Sequence, residues 1–323
     1  MENESAMSKL LKIGTRSSPL ALWQAEWVSG RIRECYPEIE VALVKIKTTG
    51  DKILDVPLAQ VGGKGLFVKE IEEAMLRGDV DIAVHSMKDV PTEFPPGLGL
   101  ACITKREDPR DALISRGLSF AELPQGARIG TSALRRQAQL LARRPDLKMV
   151  VIRGNVETRI GKLETEGLDA VILAAAGLKR LGFSDRVTEY LPVELSLPAI
   201  GQGALGIECR LDDQELVSLI SFLNDPETQR AVGAERAFLL RCDGGCQVPI
   251  AAFGETEGDQ LRLTGLISSV DGTRSVRGSR TGPADSFIAL GKELADQLLA
   301  DGGREILREV YQSGLAGERE IPV

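Results

Sequence analysis

The sequence has 323 residues, of which 43% are hydrophobic, and a formal net charge of −7. Its mean hydropathy of −0.05, together with the lack of an apolar run of membrane-spanning length, argues against a membrane protein. The acidic balance argues against general binding to nucleic acid, and five scattered cysteines are too few for a disulfide framework. We therefore expect a cytoplasmic globular protein, long enough for two or three domains.

The first two-thirds of the chain alternates predicted strands and helices. Ser18 and Pro19 are typical of a helix start, as N-cap and first helical residue. Trp23 and Trp27 are then predicted to lie on the apolar side of that helix. The other predicted elements are, in order, strand 41–46, helix 64–77, strand 80–85, strand 127–130, helix 133–143, strand 149–152, helix 156–166, strand 170–173 and helix 175–181. This alternation predicts parallel sheets covered by helices on both faces.

The last third of the chain has a different pattern and predicts a small α+β domain. Its predicted elements are helix 231–240, a glycine-rich loop, strands 261–267 and 274–280, and helices 287–299 and 304–311. Segments 91–97 and 191–198 are predicted to cross between domains. The predicted domains are 1–104 with 199–221, 105–198, and 222–323.

Polar and basic residues follow the predicted strands at their carboxyl ends. These groups are 85–89, 130–136, 153–159 and Arg180. Ligands of open α/β sheets bind at this edge, so the topology predicts a cleft there. Arginines crowded together in an acidic chain indicate a site for a small polyanion. Arg135 and Arg136 fall in the first turn of a helix, where the helix dipole disfavours cations, and a bound carboxylate would reverse that cost.

Gly201, Gly203 and Gly206 fit the spacing G-x-G-x-x-G of dinucleotide-binding loops. That motif needs a strand before it and a helix after it. Here Pro198 precedes closely and the strand-like segment 206–209 follows, so we do not expect a nucleotide to bind.

Two other catalytic or metal patterns are also incomplete. Cys242 and Cys246 are spaced like zinc ligands, but the chain has one histidine and no second cysteine pair, so no metal site is predicted. His85 and Ser86 are neighbours on a strand and point to opposite faces, which argues against a hydrolase triad. We expect His85 to be a packed residue at the strand end.

Eight segments resemble the porphobilinogen deaminase family and occur in the family's order. They are TRSSPLALWQ (15–24), VGGKGLFVKE (61–70), DIAVHSMKDVP (81–91), GTSALRRQ (130–137), RGNVETR (153–159), GLKRLG (177–182), LPAIGQGALGIE (197–208) and GGCQVPI (244–250). The resemblance implies an α/β fold class: two domains like those of periplasmic binding proteins, forming a cleft, plus a small C-terminal α+β domain. It also implies a monomeric cytoplasmic transferase of porphyrin and haem biosynthesis, which needs no metal, nucleic acid or membrane.

The activity implied by the resemblance is the stepwise condensation of four porphobilinogen units, with loss of ammonia, into linear hydroxymethylbilane. The chain grows on a dipyrromethane cofactor that the enzyme builds itself. The resemblance implies that Asp89 is the catalytic carboxylate, since it can stabilise pyrrole cations and move a proton. It implies that Cys246 forms the thioether to the cofactor, for which a thiolate is a suitable nucleophile.

The remaining implied site residues are mostly cations, which suits a substrate with an acetate and a propionate on each ring, because guanidinium groups bind carboxylates in bidentate fashion. The implied cofactor-binding residues are Ser18, Lys88, Ser132, Arg135, Arg136 and Asp89, and the substrate-binding residues are Arg16, Lys64, Arg153, Arg159 and Arg180. The chain departs from the family at Gln60, where many relatives have lysine, and at Ala133, where a second serine is frequent. Whether these two positions contact the growing chain is left open.

Two other functions stay open on the sequence. One is a non-catalytic protein that binds small anions on the same two-lobed scaffold, and a covalent adduct on the purified protein would exclude it. The other is an NAD-linked oxidoreductase, which rests only on the glycine spacing and predicts nicotinamide binding.

Overall fold

The structure is a computed structural model, and it describes residues 10–52, 65–244 and 248–313. The strands of these residues form two five-stranded sheets and one three-stranded sheet. Each sheet has its own hydrophobic core. None of the helices within the described ranges is long and apolar enough to cross a membrane.

The strands are β1 (Leu10–Thr15), β2 (Glu40–Lys45), β3 (Ile82–Ser86), β4 (Leu98–Ile103), β5 (Asp111–Ser115), β6 (Arg128–Gly130), β7 (Lys148–Val150), β8 (Ala170–Ala174), β9 (Glu189–Leu191), β10 (Leu205–Arg210), β11 (Ile250–Glu257), β12 (Gln260–Ser268) and β13 (Ser275–Pro283). The α-helices are α1 (Pro19–Cys35), α2 (Thr49–Lys52), α3 (Lys69–Leu76), α4 (Leu134–Arg143), α5 (Val156–Thr165), α6 (Ala175–Arg180), α7 (Gln214–Ile220), α8 (Pro226–Arg241), α9 (Phe287–Leu298) and α10 (Arg304–Gln312).

The two five-stranded sheets have matching topologies. The first has the order β2-β1-β3-β10-β4, and the second has the order β7-β6-β8-β5-β9. In the first sheet β10 runs antiparallel to both of its neighbours, and in the second sheet β5 does so. The prediction of parallel sheets is therefore wrong for these two strands.

The chain path explains why these two strands are reversed. β5 and β10 are each the first strand after the chain has passed from one sheet to the other. We call residues 104–110, between β4 and β5, the first crossover segment, and residues 192–204, between β9 and β10, the second crossover segment. Each segment leaves one sheet at the edge that borders the cleft and enters the other sheet at the edge that borders the cleft there. The strand that follows the segment therefore runs antiparallel to its neighbours. The prediction that segment 91–97 crosses between domains is wrong, because this segment joins β3 to β4 within the first sheet.

Helix α1 covers one face of the first sheet with small and branched side chains. Ala25, Val28 and Ile32 are fully buried there. Trp27 is 37% exposed, and the ring of Trp23 lies under the guanidinium of Arg180, 5.9 Å from its centroid. The prediction that the tryptophans form the apolar side is therefore wrong, because small side chains allow the helix to approach the sheet.

The third domain packs helices α8 and α9 against the meander of β11, β12 and β13. Glu235 of α8 ties this domain to both crossover segments. Its buried carboxylate accepts hydrogen bonds from Arg106 (2.5 Å), Gly201 N (2.6 Å) and Gly254 N (2.9 Å). Each of the three predicted domains contains one of the sheets; their exact boundaries stay predictions.

Candidate active site

The first half of the site lies at the carboxyl end of β3. A single 3-10 turn, Met87–Asp89, follows the strand, and the buried side chain of Met87 anchors it. The carboxylate of Asp89 then lines a pocket at the sheet edge. Other residues that line this pocket are Arg16, Ser18, Gln24, Phe67 and Ser86. The first domain therefore brings together three of the predicted site residues: Arg16, Ser18 and Asp89.

Local hydrogen bonds hold the walls of this pocket. Ser18 is the N-cap of α1, as predicted, and its side chain accepts a hydrogen bond from Ala21 N at 3.3 Å. Gln24, on the same helix, donates to Ser86 Oγ at 2.9 Å. The start of α1 is thus fixed against the end of β3.

Arg16 lies across the pocket and is held by an acidic partner. Its Nε donates to Asp51 Oδ1 at 3.1 Å, and its guanidinium lies 4.1 Å above the ring of Phe67. Burial opposes ionisation of Asp51, but the hydrogen bonds from Arg16 and Thr48 outweigh it and lower the pKa of Asp51 below its usual value. Arg16 is therefore positioned by a salt bridge before any ligand binds.

The second half of the site comes from the second α/β domain and faces the turn that carries Asp89. Burial lowers the pKa of Lys88 to about 8. The positive charges of Arg136 and Arg159 add to this decrease, and the negative charge of Asp89 opposes it. Burial, followed by Arg136 and Arg153, lowers the pKa of Arg159 to about 10, and Asp89 again opposes the change. Lys88 and Asp89 of the first domain therefore lie within electrostatic range of Arg136 and Arg159 of the second.

Arg135 and Arg136 lie in the first turn of α4, as predicted, but both are buried, at 6% and 5% exposure. The carboxylate that their position requires is supplied by Asp111. Arg135 Nη1 lies 2.8 Å from Asp111 Oδ2, and Arg136 Nε lies 2.9 Å from Asp111 Oδ1. Burial alone would raise the pKa of Asp111, but the two guanidinium groups reverse this and hold it far below its usual range. Ala133 occupies the N-cap position of α4, and its side chain makes no capping hydrogen bond.

The other predicted residues of the second domain lie at the same edge. Arg180, at the end of α6, donates to Gly203 O at 2.6 Å, and burial lowers its pKa to about 10. Arg159 donates to Gly154 O at 2.8 Å. Arg153 is half-buried beside Arg159, and Ser132 is exposed in the loop after β6.

Three positions singled out in the sequence lie outside the described residues: Gln60, Lys64 and Cys246. The four described cysteines can be compared as nucleophiles. Burial raises the pKa of Cys102 and Cys242 to about 12 and that of Cys209 to about 11. Cys35 is exposed at the end of α1.

The glycine motif and the single histidine have structural roles. Gly201 and Gly203 adopt φ of +69° and +96° in the second crossover segment, and Gly206 lies in strand β10, so no helix follows the motif. His85 is buried and its Nε2 lies 2.9 Å from Glu208 Oε2, which confirms the prediction of a packed histidine.

Asp111 and Gln202, which contact the arginine pair, were not singled out in the sequence. Gln202 Nε2 donates to Asp111 Oδ1 at 3.0 Å. Asp111 follows Pro109 and starts β5, a strand that was not predicted from the sequence. The signal that could have indicated such a residue was the need for a negative charge beside Arg135 and Arg136.

Comparison with known proteins identifies a family over most of the chain. Residues 11–218 match the family model "Porphobilinogen deaminase, dipyromethane cofactor binding domain", and residues 229–300 match "Porphobilinogen deaminase, C-terminal domain". The chain is 74% identical over 315 residues to a porphobilinogen deaminase of Geotalea uraniireducens, covering 98% of this chain and 99% of that one. It is 73% identical over 313 residues to a porphobilinogen deaminase of Geobacter sulfurreducens, covering 97% and 98%.

Among solved structures, a TRAP periplasmic solute binding protein from Desulfovibrio salexigens aligns with a TM-score of 0.42 and 10% identity. The alignment covers 67% of this chain and 72% of that chain.

Proposed function

Since the chain belongs to the porphobilinogen deaminase family, we propose that Asp89 is its catalytic carboxylate. The family confirms the function predicted from the eight segments: the enzyme is a transferase of tetrapyrrole biosynthesis, which condenses porphobilinogen units into hydroxymethylbilane on a dipyrromethane cofactor. The fold class is confirmed as well, with two α/β domains and a small third domain. The observation that carries the proposal is the position of Asp89, in the pocket of the first domain and beside cations of the second.

Asp89 would act on the positive charge that the reaction creates. Loss of ammonia leaves a cation on the substrate pyrrole, and the new carbon–carbon bond leaves a second cation that must lose a proton. A carboxylate fixed beside the pyrrole rings stabilises both cations and accepts the proton from the ring carbon that has formed the bond. Its anchored backbone, through buried Met87, limits the reorganisation that each step requires.

The cations of the cleft fit the carboxylates of cofactor and substrate. We assign Ser18, Lys88, Ser132, Arg135 and Arg136 to the cofactor, and Arg16, Lys64, Arg153, Arg159 and Arg180 to the substrate and growing chain. When bound, the dipyrromethane supplies the pyrrole carbon at which the chain is extended. The lowered pKa values of Lys88, Arg159 and Arg180 support this assignment, because an anionic ligand would relieve the cost of burying these cations.

Cys246 is proposed as the attachment point of the cofactor. The buried cysteines are poor alternatives, because a thiol with a pKa of 11 to 12 contains almost no thiolate at neutral pH. Cys242 is four residues away but packs in the core of the third domain. Gly244 and Gly245 precede Cys246 in the sequence, and glycine allows backbone conformations that other residues disfavour.

The test of Asp89 is a substitution that keeps its shape and removes its charge. Asp89→Asn should retain the melting temperature and the covalent cofactor but lose turnover by about 100-fold or more. Asp146→Asn is the matched control, since Asp146 pairs with Arg144 away from the cleft, and it should turn over normally. Near-normal turnover in folded Asp89→Asn would remove Asp89 from the catalytic role.

We further propose that the enzyme works as a monomer in the cytoplasm. The support is the resemblance to the family. Light scattering of the purified protein should give the mass of one chain, and cell fractionation should place the activity in the cytosol.

A further inference from the structure

The turn that carries Asp89 is held by helix α8 of the third domain. Val90 and Pro91 follow Asp89 directly, and their carbonyl oxygens accept hydrogen bonds from the guanidinium of Arg236. The distances are 3.1 Å from Nη1 to Val90 O and 2.6 Å from Nη2 to Pro91 O. The planar fork of a guanidinium fits two neighbouring acceptors in a way that a lysine ammonium cannot match. The backbone is thus fixed immediately after the proposed catalytic carboxylate.

The same side of α8 also packs against this turn. Val232 lies one helical turn before Arg236, so the two side chains are neighbours on the helix surface. Val232 is fully buried and belongs to one apolar cluster with Met87 and Val90, which flank Asp89 in the chain. Val90 N donates to Met87 O at 3.2 Å and closes the turn. Helix α8 therefore supports the turn through apolar packing as well as through hydrogen bonds.

Arg236 is a partly buried cation with neutral partners. Its hydrogen bonds within the described residues go to the two carbonyl oxygens, and no ion pair joins it to a carboxylate of these residues. Its guanidinium lies 5.7 Å from the centroid of the Phe94 ring. Burial lowers the pKa of Arg236 to about 10, so the group is still charged at neutral pH. Burying a cation without an anionic partner reduces stability, which favours a role other than stability for this arginine.

Helix α8 also leads to the proposed attachment residue of the cofactor. The helix ends at Arg241, and Cys246 follows five residues later in the sequence. The helix that holds the turn of Asp89 is thus the one that precedes the cofactor cysteine. A firm contact between α8 and the turn keeps the carboxylate in a constant position relative to the domain to which the cofactor is attached.

We propose that Arg236 is a positioning residue, which fixes the carboxylate of Asp89 by binding the two carbonyl oxygens that follow it. This inference rests on the proposed role of Asp89. A catalytic group displaced by about 1 Å from its productive position can lose about 100-fold in rate, so a contact to the adjacent backbone has a direct effect on turnover. Because Arg236 acts through Asp89 and not on the substrate, its loss should lower kcat and leave the KM for porphobilinogen nearly unchanged.

The test compares two arginines of the third domain that each bind neighbouring carbonyl oxygens. Arg236→Met removes the fork beside Asp89 at similar side-chain length. Arg277→Met is the matched control, since Arg277 donates to Val193 O at 3.1 Å and to Glu194 O at 2.8 Å, next to none of the proposed site residues. In holoenzyme, Arg236→Met should lose about tenfold or more in kcat, with a KM within about twofold of wild type. Arg277→Met should keep the wild-type kcat. Arg236→Lys keeps the charge but not the fork, and should recover part of the loss.

A double substitution separates positioning from stability. If Arg236 acts through the carboxylate of Asp89, adding Arg236→Met to Asp89→Asn should lower turnover little further, because the group to be positioned is already lost. A role in stability alone would lower turnover by the same factor in both backgrounds. Melting temperatures identify any variant that does not fold, and Arg236→Lys then takes the place of Arg236→Met in both comparisons.

The inference is overturned by a wild-type kcat in folded Arg236→Met. It is also overturned by an equal loss of kcat in Arg277→Met, which would assign the effect to general docking of the third domain. Losses that multiply in the double substitution would assign Arg236 to stability and overturn it as well. Near-normal turnover in folded Asp89→Asn would contradict the proposed role of Asp89 and this inference with it. An impaired Asp89→Asn beside a normal Arg236→Met contradicts this inference alone.

Discussion

The imidazole of His85 and the carboxylate of Glu208 form a buried pair behind the pocket of the first domain, with Nε2 and Oε2 2.9 Å apart. Glu72 of α3 lies close to this pair. Burial raises the pKa of Glu72 to about 7, and the negative charge of Glu208 contributes to this increase. Oε1 of Glu72 and Oε1 of Glu208 are buried without a hydrogen-bond partner among the residues that the structure describes. A proton on Glu72 reduces the cost of this arrangement.

This cluster predicts a pH dependence of stability that Glu72→Gln should remove. The pKa of Glu72 is about 7 in the folded protein and 4.5 as its ordinary value, so the folded state holds the proton more tightly. The associated stability is fully present below about pH 4.5 and is lost as the pH rises through 7. Glu72→Gln stays neutral, and it should gain on the order of 2 kcal/mol over wild type between pH 5 and 8. Melting temperatures across this range measure the effect.

Glu73→Gln provides the control for that experiment. Glu73 neighbours Glu72 on the same helix but is exposed, so its substitution should shift the melting temperature by a similar small amount at every pH. Parallel curves for wild type and Glu72→Gln would show that Glu72 is ionised in the folded state across this range.

Arg135→Leu is expected to affect stability as well as activity. Arg135 is buried and donates to Asp111 and to Leu197 O at 2.5 Å. Its removal leaves a buried carboxylate with one guanidinium fewer, which costs about 3 kcal/mol. Thermal unfolding should show a clear loss, whereas Arg143→Leu on the exposed end of the same helix should be nearly neutral. An unchanged melting temperature in Arg135→Leu would mean that Asp111 is satisfied by its other donors.

Lys88 is expected to make assembly of the cofactor on the apoenzyme sensitive to alkaline pH. Its pKa of about 8 in the cleft without the anionic cofactor means that the positive charge is lost as the pH rises through that value, so the rate at which the apoenzyme gains its covalent adduct from porphobilinogen should fall between pH 7 and 9. Lys88→Arg keeps its charge over this range and should flatten the profile. Lys105→Arg, at an exposed position, should follow wild type. A wild-type profile in Lys88→Arg would assign the dependence to another group.

The mass of the denatured protein tests the attachment of the cofactor. A thioether survives unfolding, so the chain should weigh more than its sequence by two pyrrole units, and the adduct should map to the peptide with Cys246. Cys246→Ser should lose the adduct and the activity together, because a hydroxyl is a far weaker nucleophile at neutral pH. Cys242→Ser should keep both. An adduct on Cys242, or active enzyme of unmodified mass, contradicts the assignment.

The structural features that depend on neighbouring residues could be predicted from local patterns in the sequence. The cap at Ser18 and the turn after β3 were predictable, because capping and strand-to-turn transitions depend on neighbouring residues. The placement of Asp89, Arg136, Arg153 and Arg159 beyond strand ends was predictable for the same reason. Helix α3 begins at Lys69, later than the predicted position 64, since helix ends depend on packing as well as on residue type.

The tertiary structure decided the features that depend on residues far apart in the chain. β5 and β10 are antiparallel because they follow crossovers between domains, which no local periodicity records. α1 turns Ala25 and Val28 to the sheet and leaves Trp27 outside, because the distance of approach between helix and sheet selects small side chains. Asp111 lies 24 residues before Arg135 in the chain and within 2.8 Å of it in the fold. The sequence showed that the arginine pair needs an anion, but only the packing of β5 against α4 and the second crossover segment determined that the protein supplies it.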